Sequence, residues 1–533
     1  MRGSSSARRG LSLISMHKWG LFEAEFQGDS ICTDPLRDIT LNCNFASPSG
    51  RKIVVEAFWD GESTWRVRFM PDEIGAWTYR TTCSNEHDKG LHDRVGRFES
   101  VPYQGDNPVY VHGPLRLSHS RRYLVHADNA PFFWLADTAW NGIIMATPDE
   151  WSEYLSFRRE QCFTAVQFVM THWRAGPCDI EGEKAYEGKE RIVKINADFF
   201  RRIDPKFSML NEYGLVAAPV LLWDLGDSPG VNLVEDDAIL LARYLIARYG
   251  ARILVWILAG DGDYRGEKAE RWKRIGRAVF LNRHRQLVTI HPGGKHWNLP
   301  EFLHEDWLDI VGYQSGHGVD EDDLKWLCFG PPSKDWWLEP RRPVINLEPN
   351  YEEHLAYRIS KPITPHMVRR AAYWSLLAGP SAGVSYGTNG VWYWARKPEV
   401  PFDHPHVGIA KPWREAIRLS GAEDMGRLRR LFSQVPWWVL VPDPELLAEQ
   451  PGLKNVRLFT AASRSENGKT AVVYRPEEQD LDLNLAHLQK PLEVLWVNPR
   501  TGEETNVGSV STDHVRLRTP GPGDWLLILK STI

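Results

Sequence analysis

Long apolar runs and paired cysteine motifs are both missing from this chain. No apolar stretch in the 533 residues approaches the ~20 residues that a transmembrane helix requires, so we expect no membrane partner. The six cysteines lie far apart and form no C-x-x-C pair, which argues against a zinc ribbon, a thioredoxin-type site and a disulfide scaffold. The N-terminal stretch Leu11–Ile14 is shorter than the ~7–15-residue apolar core of a signal peptide. These absences favour reduced thiols and a cytoplasmic location.

Blocks of like charge are absent as well. The chain carries 64 Lys and Arg against 69 Asp and Glu, for a formal net charge of −5, and no basic stripe stands out. A nucleic-acid-binding protein normally concentrates its Lys and Arg in one region, so we expect no nucleic-acid partner. Hydrophobic residues at 42% and charged residues at 25% are typical of a folded globular protein rather than a disordered or coiled-coil chain.

Tryptophan, in contrast, is abundant. The 24 Trp outnumber both the 17 Tyr and the 20 Phe. The indole ring offers a large flat apolar face with a polar edge, which suits the face of a sugar ring. A Trp-rich core explains the same count, and composition alone leaves these two interpretations open.

Three regions of different periodicity divide the chain. Residues 17–110 contain short alternating segments between turns, such as Thr64–Phe69, which predict an N-terminal antiparallel β-sandwich. Residues 411–533 begin with a helical connector, Lys411–Phe432, and continue with period-2 segments that predict a second, C-terminal antiparallel β-sandwich. The predicted C-terminal strands are Val456–Ala461, Thr470–Tyr474, Leu492–Val497, Val515–Arg518 and Trp525–Leu529.

The central region, residues 115–410, predicts a (β/α)8 TIM barrel. Apolar runs alternate there with helical patterns, and eight βα units in about 250 residues is the size of this fold. A doubly wound sheet is the alternative, but no G-x-G-x-x-G motif follows the first run. The predicted strands are Phe132–Asp137, Thr164–Met170, Val216–Trp223, Ile253–Gly260, Leu287–His291, Leu308–Gln314, Pro343–Glu348 and Ala382–Tyr386. The predicted helices are Pro148–Glu160, Ala197–Tyr213, Glu235–Tyr249, Glu267–Asn282 and Thr364–Ala378, with N-caps at Thr147 and Asn196.

Carboxylates follow four of the predicted barrel strands. Reactive groups of a TIM barrel lie at the C-terminal ends of its strands, where this chain has Asp137, Asp224, Asp261 and Glu348. Glycoside hydrolysis needs two carboxyl groups that flank the scissile bond, one protonated and one ionised. Asp261 after strand four and Glu348 after strand seven are predicted to face each other across the barrel mouth as the catalytic pair. Asp263 competes with Asp261 for this role. Alternatively, Asp261 caps the next helix and Glu348 pairs with an arginine on the rim.

Further side chains near the strand ends are predicted to bind the sugar. Asp137 and Asp224 are expected to hydrogen-bond ring hydroxyls, and aromatic residues are expected to contact the ring faces. The predicted substrate-binding residues are Asp137, Trp140, His172, Trp173, Trp223, Asp224, Tyr313, Gln314, His317, Tyr351, Tyr386 and Trp392.

Other catalytic chemistries find little support in the sequence. His172, His291 and His317 are candidates to meet at the rim, but the chain has no H-E-x-x-H motif and no metal-ligand spacing. The G-x-S-x-G motif of serine hydrolases is also absent. We therefore expect neither a metal nor a cofactor.

Several segments at these strand ends share a pattern with a known family. They are Trp134–Trp140, Trp256–Asp261, Asn346–Glu352 and Gly387–Trp392, together with Phe69–Trp77 and Trp496–Gly502 in the flanking regions. In this order they resemble the apiosidase-like glycoside hydrolases of the TIM-barrel glycosidase superfamily, with N-terminal and C-terminal sandwich domains, over nearly the whole chain. The resemblance implies that Asp261 is the acid/base and Glu348 the nucleophile. Most of the superfamily has Asn-Glu at the end of strand four, whereas this chain has Gly260-Asp261, with a side chain one methylene shorter.

The resemblance also implies an activity. It points to a retaining, exo-acting glycosidase that removes a terminal furanose such as apiose, or a similar small sugar, from a plant glycoside or a pectic oligosaccharide. Two alternatives stay open: an endo-acting polysaccharide hydrolase of the same barrel type, and a non-catalytic carbohydrate-binding protein.

Overall fold

The protein is represented by a computed structural model. The structure describes residues 14–29, 32–188, 193–281 and 286–533. Leu11–Leu13, from the stretch considered for a signal peptide, and Asn282, at the end of a predicted helix, lie outside these residues. Among the described residues, no helix is both long and apolar enough to cross a membrane.

The chain folds as two compact units. The first contains the described residues up to Val111 together with Arg243–Ile253. The second contains His112–Ala242, Leu254–Leu281 and Gln286–Ile533, which include the barrel strands and the C-terminal sheets.

Two sheets that share a hydrophobic core form the N-terminal region. The strands are β1 (Ser15–His17), β2 (Phe22–Gln27), β3 (Leu41–Ala46), β4 (Lys52–Glu56), β5 (Phe58–Trp59), β6 (Thr64–Phe69), β7 (Gly75–Cys83) and β8 (Val95–Val101), with short helices α1 (Pro35–Asp38) and α2 (Pro108–His112). Their orders are β1-β8-β7-β3-β4 and β2-β6-β5. Alternation along the strands directs Phe22, Phe45, Trp65 and Phe98 into one core. β1 pairs with β8 in parallel, so the prediction of an entirely antiparallel region is corrected at this edge.

Eight parallel strands form the centre of the second unit within the described residues. A small antiparallel sheet of β9 (Leu115–Leu117), β10 (Leu124–His126) and β11 (Pro131–Phe132) precedes them. The subsequent strands are β12 (Trp134–Thr138), β13 (Ala165–Val169), β14 (Tyr186–Glu187), β15 (Lys194–Ile195), β16 (Val216–Trp223), β17 (Val255–Gly262), β18 (Leu287–Pro292), β19 (Val311–Gln314), β20 (Val344–Glu348) and β21 (Gly383–Tyr386). β14 and β15 make a separate hairpin.

The strand order of the parallel sheet is cyclic. It runs β18-β17-β16-β13-β12-β21-β20-β19, and the two end strands β18 and β19 lie against each other. The sheet is therefore a nearly closed barrel in which chain order and spatial order agree, as in a TIM barrel. Each of the eight predicted strands coincides with an observed strand to within a few residues.

Helices surround the barrel strands and explain their continuous apolar character, because strands covered on both faces need no polar face. The helices are α3 (Gly142–Met145), α4 (Pro148–Glu160), α5 (Ala197–Glu212), α6 (Pro229–Asn232), α7 (Glu235–Tyr249), α8 (Glu267–Phe280), α9 (Leu299–Phe302), α10 (Glu321–Phe329), α11 (Pro331–Lys334), α12 (Pro365–Leu377), α13 (Asn389–Tyr393), α14 (Trp413–Ala416) and α15 (Ser420–Ser433). Both predicted N-caps are confirmed: Thr147 accepts from the Glu150 amide and Asn196 from the Phe199 amide.

The C-terminal strands form two further sheets with a common core. The strands are β22 (Leu440–Pro442), β23 (Ala461–Ser465), β24 (Thr470–Arg475), β25 (Asp480–Asn484), β26 (Leu492–Val497), β27 (Glu504–Val510), β28 (His514–Arg518) and β29 (Trp525–Ser531), in the orders β22-β23-β24-β29-β26-β27 and β25-β28. The predicted strand Val456–Ala461 is wrong. A 3-10 turn occupies Val456–Leu458 because Asn455 accepts a hydrogen bond from the Arg457 amide, and strand β23 begins only at Ala461.

Candidate active site

Glu348 is the last residue of β20, where the pairing of β20 with β19 shifts by one residue. Tyr313 of β19 pairs with Asn346 and Gln314 with Glu348, so Leu347 is an extra residue in the ladder. Bulges of this kind redirect side chains and are common beside active sites. The Glu348 side chain is only 9% exposed at the C-terminal end of the barrel.

Asp261 lies on a second irregularity, near the end of β17. Gly260 pairs with His291 and Gly262 with Pro292, which leaves Asp261 as the bulged residue. Its φ of 59° lies in the left-handed region, which Asp tolerates better than most residues because its short side chain is polar. Gly260 and Gly262 are needed on either side because a Cβ would lie 2.4 Å from the Trp223 ring or from Asp224 Oδ2, respectively.

Asp261 and Glu348 have opposed protonation preferences. Burial and the negative charge of Glu348 together raise the pKa of Asp261 to about 7. Burial also opposes ionisation of Glu348, but His291 and His317 outweigh it and hold the pKa of Glu348 well below its ordinary value. Two carboxyl groups that interact in this way divide into one acid and one anion near neutral pH.

Two polar side chains hold one oxygen of the Glu348 carboxylate. Gln314 Nε2 donates to Oε1 at 2.7 Å and His317 Nε2 lies 3.0 Å from the same oxygen. His317 Nδ1 accepts from the Tyr351 amide at 3.4 Å, so Nε2 is the ring nitrogen that donates to Glu348. These two contacts fix the position of Oε1.

His291 and three tryptophans surround the other side of Glu348. His291 Nε2 lies 3.2 Å from Glu348 Oε2, and Trp140 packs edge-on against the His291 ring at 5.3 Å. Trp223 contacts Trp140 at 5.2 Å and Trp173 at 4.4 Å. The predicted residues Trp140, Trp173 and Trp223 thus form an aromatic wall next to the carboxylates.

The competing carboxylate Asp263 has a different environment. Arg265 donates to both of its oxygens, at 2.6 and 3.1 Å, and this hydrogen bond lowers the pKa of Asp263. Its side chain is 34% exposed. Asp263 is therefore an ionised surface carboxylate, which is unsuitable as a general acid.

Three of the side chains predicted to contact the sugar have partners inside the fold. Asp137 is fully buried and accepts from Arg158 and Tyr154, each at 2.6 Å. Tyr386 is also fully buried and donates to Glu352 at 2.6 Å. Tyr313 is 1% exposed and packs between Trp297 and Trp326. These contacts stabilise the fold around the site, and sugar binding by the three side chains stays a prediction.

The remaining predicted binding residues have mixed surroundings. The Tyr351 ring lies 4.4 Å from that of His317, and its buried hydroxyl makes no hydrogen bond within the described residues. Burial raises the pKa of Asp224 to about 6, and its charge acts on Asp261. Trp392 contacts His404 at 5.0 Å. His172 accepts from the Ala185 amide, which ties it to the loop after β13 rather than to Glu348.

The sequence interpretation missed Arg174 and Tyr357. Arg174 follows β13, and its positive charge acts on Asp261. The Tyr357 ring lies 5.5 Å from that of His317. Both residues stand well beyond the strand ends, so a search limited to those ends does not reach them. His291 was noted only as a possible metal ligand. Among the described residues, no group of three or more His, Cys, Asp or Glu is placed to hold a metal ion.

Solved structures with a similar fold are glycoside hydrolases by their descriptions. One described as "Glycoside hydrolase" is 23% identical, covering 80% of this chain and 99% of that one, with a TM-score of 0.70. A glycoside hydrolase family 5 protein from Bacteroides vulgatus is 24% identical, covering 79% and 94%, with a TM-score of 0.70. A "putative glycoside hydrolase" from the same species is 19% identical, covering 97% and 99%, with a TM-score of 0.72. A comparison with curated proteins finds no match.

Three protein families match successive parts of the chain. Residues 15–84 match a domain of unknown function, and residues 441–530 match a family described as "Putative collagen-binding domain of a collagenase". Residues 118–439, more than half of the chain, match the family described as "Apiosidase-like, catalytic domain". The chain therefore belongs to the apiosidase-like glycoside hydrolases and is a glycosidase.

Proposed function

We propose that this glycosidase is retaining and exo-acting, with Asp261 as the acid/base and Glu348 as the nucleophile. Its substrate is a plant glycoside or pectic oligosaccharide from which it removes a terminal furanose such as apiose, or a similar small sugar. The observation that carries the roles of the two residues is the opposed protonation of their carboxyl groups, with the pKa of Asp261 raised to about 7 and that of Glu348 lowered.

In this mechanism Glu348 attacks the anomeric carbon while Asp261 gives its proton to the departing oxygen. The hydrogen bonds from Gln314 and His317 to Oε1, together with His291 Nε2 3.2 Å from Oε2, orient the Glu348 carboxylate for this attack. Once the covalent glycosyl–Glu348 intermediate has formed, the charge on Glu348 that raises the pKa of Asp261 is lost. Asp261 then becomes a stronger acid and is suited to act as the base that activates water.

Exo action is supported by loops that join above one end of the barrel. Arg174 in the loop after β13 donates to the side chain of Asp403 at 2.7 Å and to its carbonyl at 2.8 Å, in the loop after β21. β12 lies between these two strands in the sheet, so the ion pair spans the end of β12 where Trp140 is located. A site bridged on one side suits a terminal sugar better than the middle of a long chain.

The test is the stereochemistry of the reaction. A panel of nitrophenyl furanosides and pyranosides, including an apioside, identifies a substrate, and NMR then records the anomer that is released before mutarotation. Retention is expected. Addition of azide to Glu348→Ala is expected to restore turnover with an inverted glycosyl azide, and addition to Asp261→Ala to give a retained one. An inverted product from the wild-type enzyme contradicts the nucleophile role of Glu348 and makes it the base for water.

A further inference from the structure

Glu352 is a buried carboxylate that the proposed mechanism does not use. It lies in the loop that follows β20, shortly after Glu348 in sequence, and is 2% exposed. The Tyr386 hydroxyl donates to its Oε2 at 2.6 Å, and the Gly421 amide donates to Oε1 at 3.1 Å and to Oε2 at 3.0 Å. Both oxygens are therefore occupied inside the fold, and Glu352 is not placed to contact a sugar.

The side chain and the main chain of Glu352 both bind to neighbouring elements. Tyr386 is the last residue of β21, and Gly421 is the second residue of α15, whose positive N-terminal end favours a carboxylate. Gly421 leaves room for this contact, because a Cβ there would lie 2.4 Å from Glu352 Oε2. The Glu352 amide donates to the Gly387 carbonyl at 2.9 Å, and its carbonyl accepts from the Asn389 amide at 3.1 Å. Glu352 thus fixes the loop after β20 to β21 and α15.

The residues between Glu348 and Glu352 bind to the loop on the opposite side, which follows β19. The Gly316 amide donates to the Glu348 carbonyl at 3.0 Å. Asn350 Nδ2 donates to the carbonyls of Gly316 and Gly318, at 2.9 and 3.2 Å. β20 lies between β19 and β21 in the sheet, so contacts with the β19 loop hold this segment on one side and Glu352 holds it on the other.

Tyr351 connects Glu352 to the nucleophile. The Tyr351 amide donates to His317 Nδ1 at 3.4 Å, and the two rings lie 4.4 Å apart. The Tyr351 ring also packs on Gly387, where a Cβ would lie 2.4 Å from it. His317 Nε2 in turn lies 3.0 Å from Glu348 Oε1. Because a planar peptide group joins Tyr351 to Glu352, the hydrogen bonds of Glu352 restrict Tyr351 and, through it, His317.

We propose that Glu352 is a positioning residue for the nucleophile. By fixing the loop after β20 to β21 and α15, it holds Tyr351 and His317 in the arrangement that orients Glu348. This role rests on the proposed function, because it requires Glu348 to be the nucleophile. A misplacement of about 1 Å in an active site lowers the rate by about a hundredfold, so Glu352 affects catalysis without contacting the sugar.

The experiment compares Glu352→Ala and Glu352→Gln with the wild type on the substrate that the nitrophenyl panel selects. We expect Glu352→Ala to lower kcat about a hundredfold while KM stays within about threefold, because the residues that contact the sugar are retained. The amide of Glu352→Gln keeps an oxygen that accepts from Tyr386 and Gly421. This conservative variant is therefore expected to lower kcat only about tenfold.

Glu305→Ala is the matched control for the loss of a buried carboxylate. Glu305 is 6% exposed and accepts from Arg277 Nε at 3.0 Å and from the Trp307 indole at 2.9 Å. It precedes β19, and the loops before parallel barrel strands lie on the face opposite the active site. Glu305→Ala is expected to lower Tm and to leave kcat within about threefold of the wild-type value.

The pH profile separates positioning from a general loss of stability. Burial opposes ionisation of Glu348, but hydrogen bonds from His291 and His317 hold its pKa well below the ordinary value. When His317 is no longer restrained, the pKa of Glu348 rises. The acidic fall of kcat/KM is therefore expected at a higher pH in Glu352→Ala than in the wild type, with a smaller displacement in Glu352→Gln and none in Glu305→Ala.

The outcomes that overturn the positioning role are distinct from failure of the proposed function. If the wild type hydrolyses no glycoside of the panel, the proposed function fails and the positioning role fails with it. If the wild type is active but Glu352→Ala matches Glu305→Ala in kcat and in pH profile, Glu352 only stabilises the fold. A raised KM with unchanged kcat also contradicts the positioning role. If Glu352→Ala does not fold, wild-type kcat and an unchanged pH profile in Glu352→Gln overturn it.

Discussion

At the scale of single residues, the carboxylate of Glu348 carries the reaction. Gln314 and His317 donate hydrogen bonds to one of its oxygens. In a Glu348→Gln variant, the amide has the same shape but accepts only part of these hydrogen bonds. We therefore expect Glu348→Gln to fold normally and to lose at least a thousandfold in kcat, since the nucleophile is removed. Circular dichroism and kcat on the best panel substrate measure this. Activity above a tenth of the wild-type value contradicts the assignment.

Asp261 is the residue whose charge state sets the pH dependence. Its pKa is raised to about 7, so the proton needed for catalysis is present below pH 7 and is lost as the pH rises through this value. We expect kcat/KM to fall on the alkaline side with an apparent pKa near 7. Asp261→Asn is expected to remove this limb together with most of the activity on poor leaving groups. Asp263→Asn serves as the control and is expected to retain the limb; loss of the limb in that variant assigns the acid to Asp263.

The same residue has a measurable effect on stability. Because the folded protein binds the Asp261 proton more tightly than the unfolded chain does, the contribution of Asp261 is present at low pH and lost as the pH rises toward 7. Asp261→Asn is therefore expected to raise Tm relative to the wild type at pH 8 and to leave it unchanged at pH 4. Calorimetry at both values tests this. If Asp261→Asn changes Tm by the same amount at both pH values, the effect comes from packing rather than from charge.

At the scale of secondary structure elements, a buried ion pair between Asp137 and Arg158 holds strand β12 to helix α4. Both side chains are 0% exposed and lie 2.6 Å apart. Asp137→Ala leaves Arg158 buried without its carboxylate, and such losses cost about 3–5 kcal/mol. Urea unfolding measures the change. The exposed pair of Asp480 and Arg516 is the control, since Asp480→Ala removes a pair that water already screens. If Asp137→Ala lowers the free energy of unfolding only slightly, Arg158 has found another partner.

The elements of the barrel were predictable, and the details of the site were less so. Apolar strand runs and capping residues such as Thr147 and Asn196 are local signals, and local signals gave the strands, the helices and the strand-end carboxylates. The bulge at Asp261 depends on its pairing with β18, which is not local. The partners of Asp137 and Tyr386 are Arg158 and Glu352, which are 21 and 34 residues away in sequence. A polar residue at a strand end therefore predicts a position, but its contacts depend on distant parts of the chain.

At the scale of the whole molecule, the barrel and the C-terminal sheets belong to one compact unit. The helix α12 joins them: Tyr373 stacks on Tyr474 of β24 at 4.5 Å, and the Trp374 indole donates to the Phe459 carbonyl at 2.9 Å. Arg369 makes two hydrogen bonds of 2.9 Å to Asp524 and one of 2.6 Å to Asp424. Two carboxylates thus share one guanidinium, and all three groups are buried. Arg427 also donates to Asp424 at 2.6 Å, and the Tyr474 hydroxyl donates to Asp524 at 3.0 Å.

This arrangement predicts joint unfolding of the barrel and the C-terminal sheets. Arg369→Met leaves Asp424 and Asp524 buried with one cation fewer, so we expect a markedly lower Tm but a single transition by both tryptophan fluorescence and far-ultraviolet circular dichroism. Because an uncompensated charge is more costly than a neutral group, adding Asp424→Asn and Asp524→Asn to Arg369→Met is expected to recover part of the loss. Arg516→Met, which removes an exposed arginine of β28, is the control for losing a positive charge. Two separate transitions, with the C-terminal sheets melting first, indicate that α12 packs against those sheets without coupling their stability to that of the barrel.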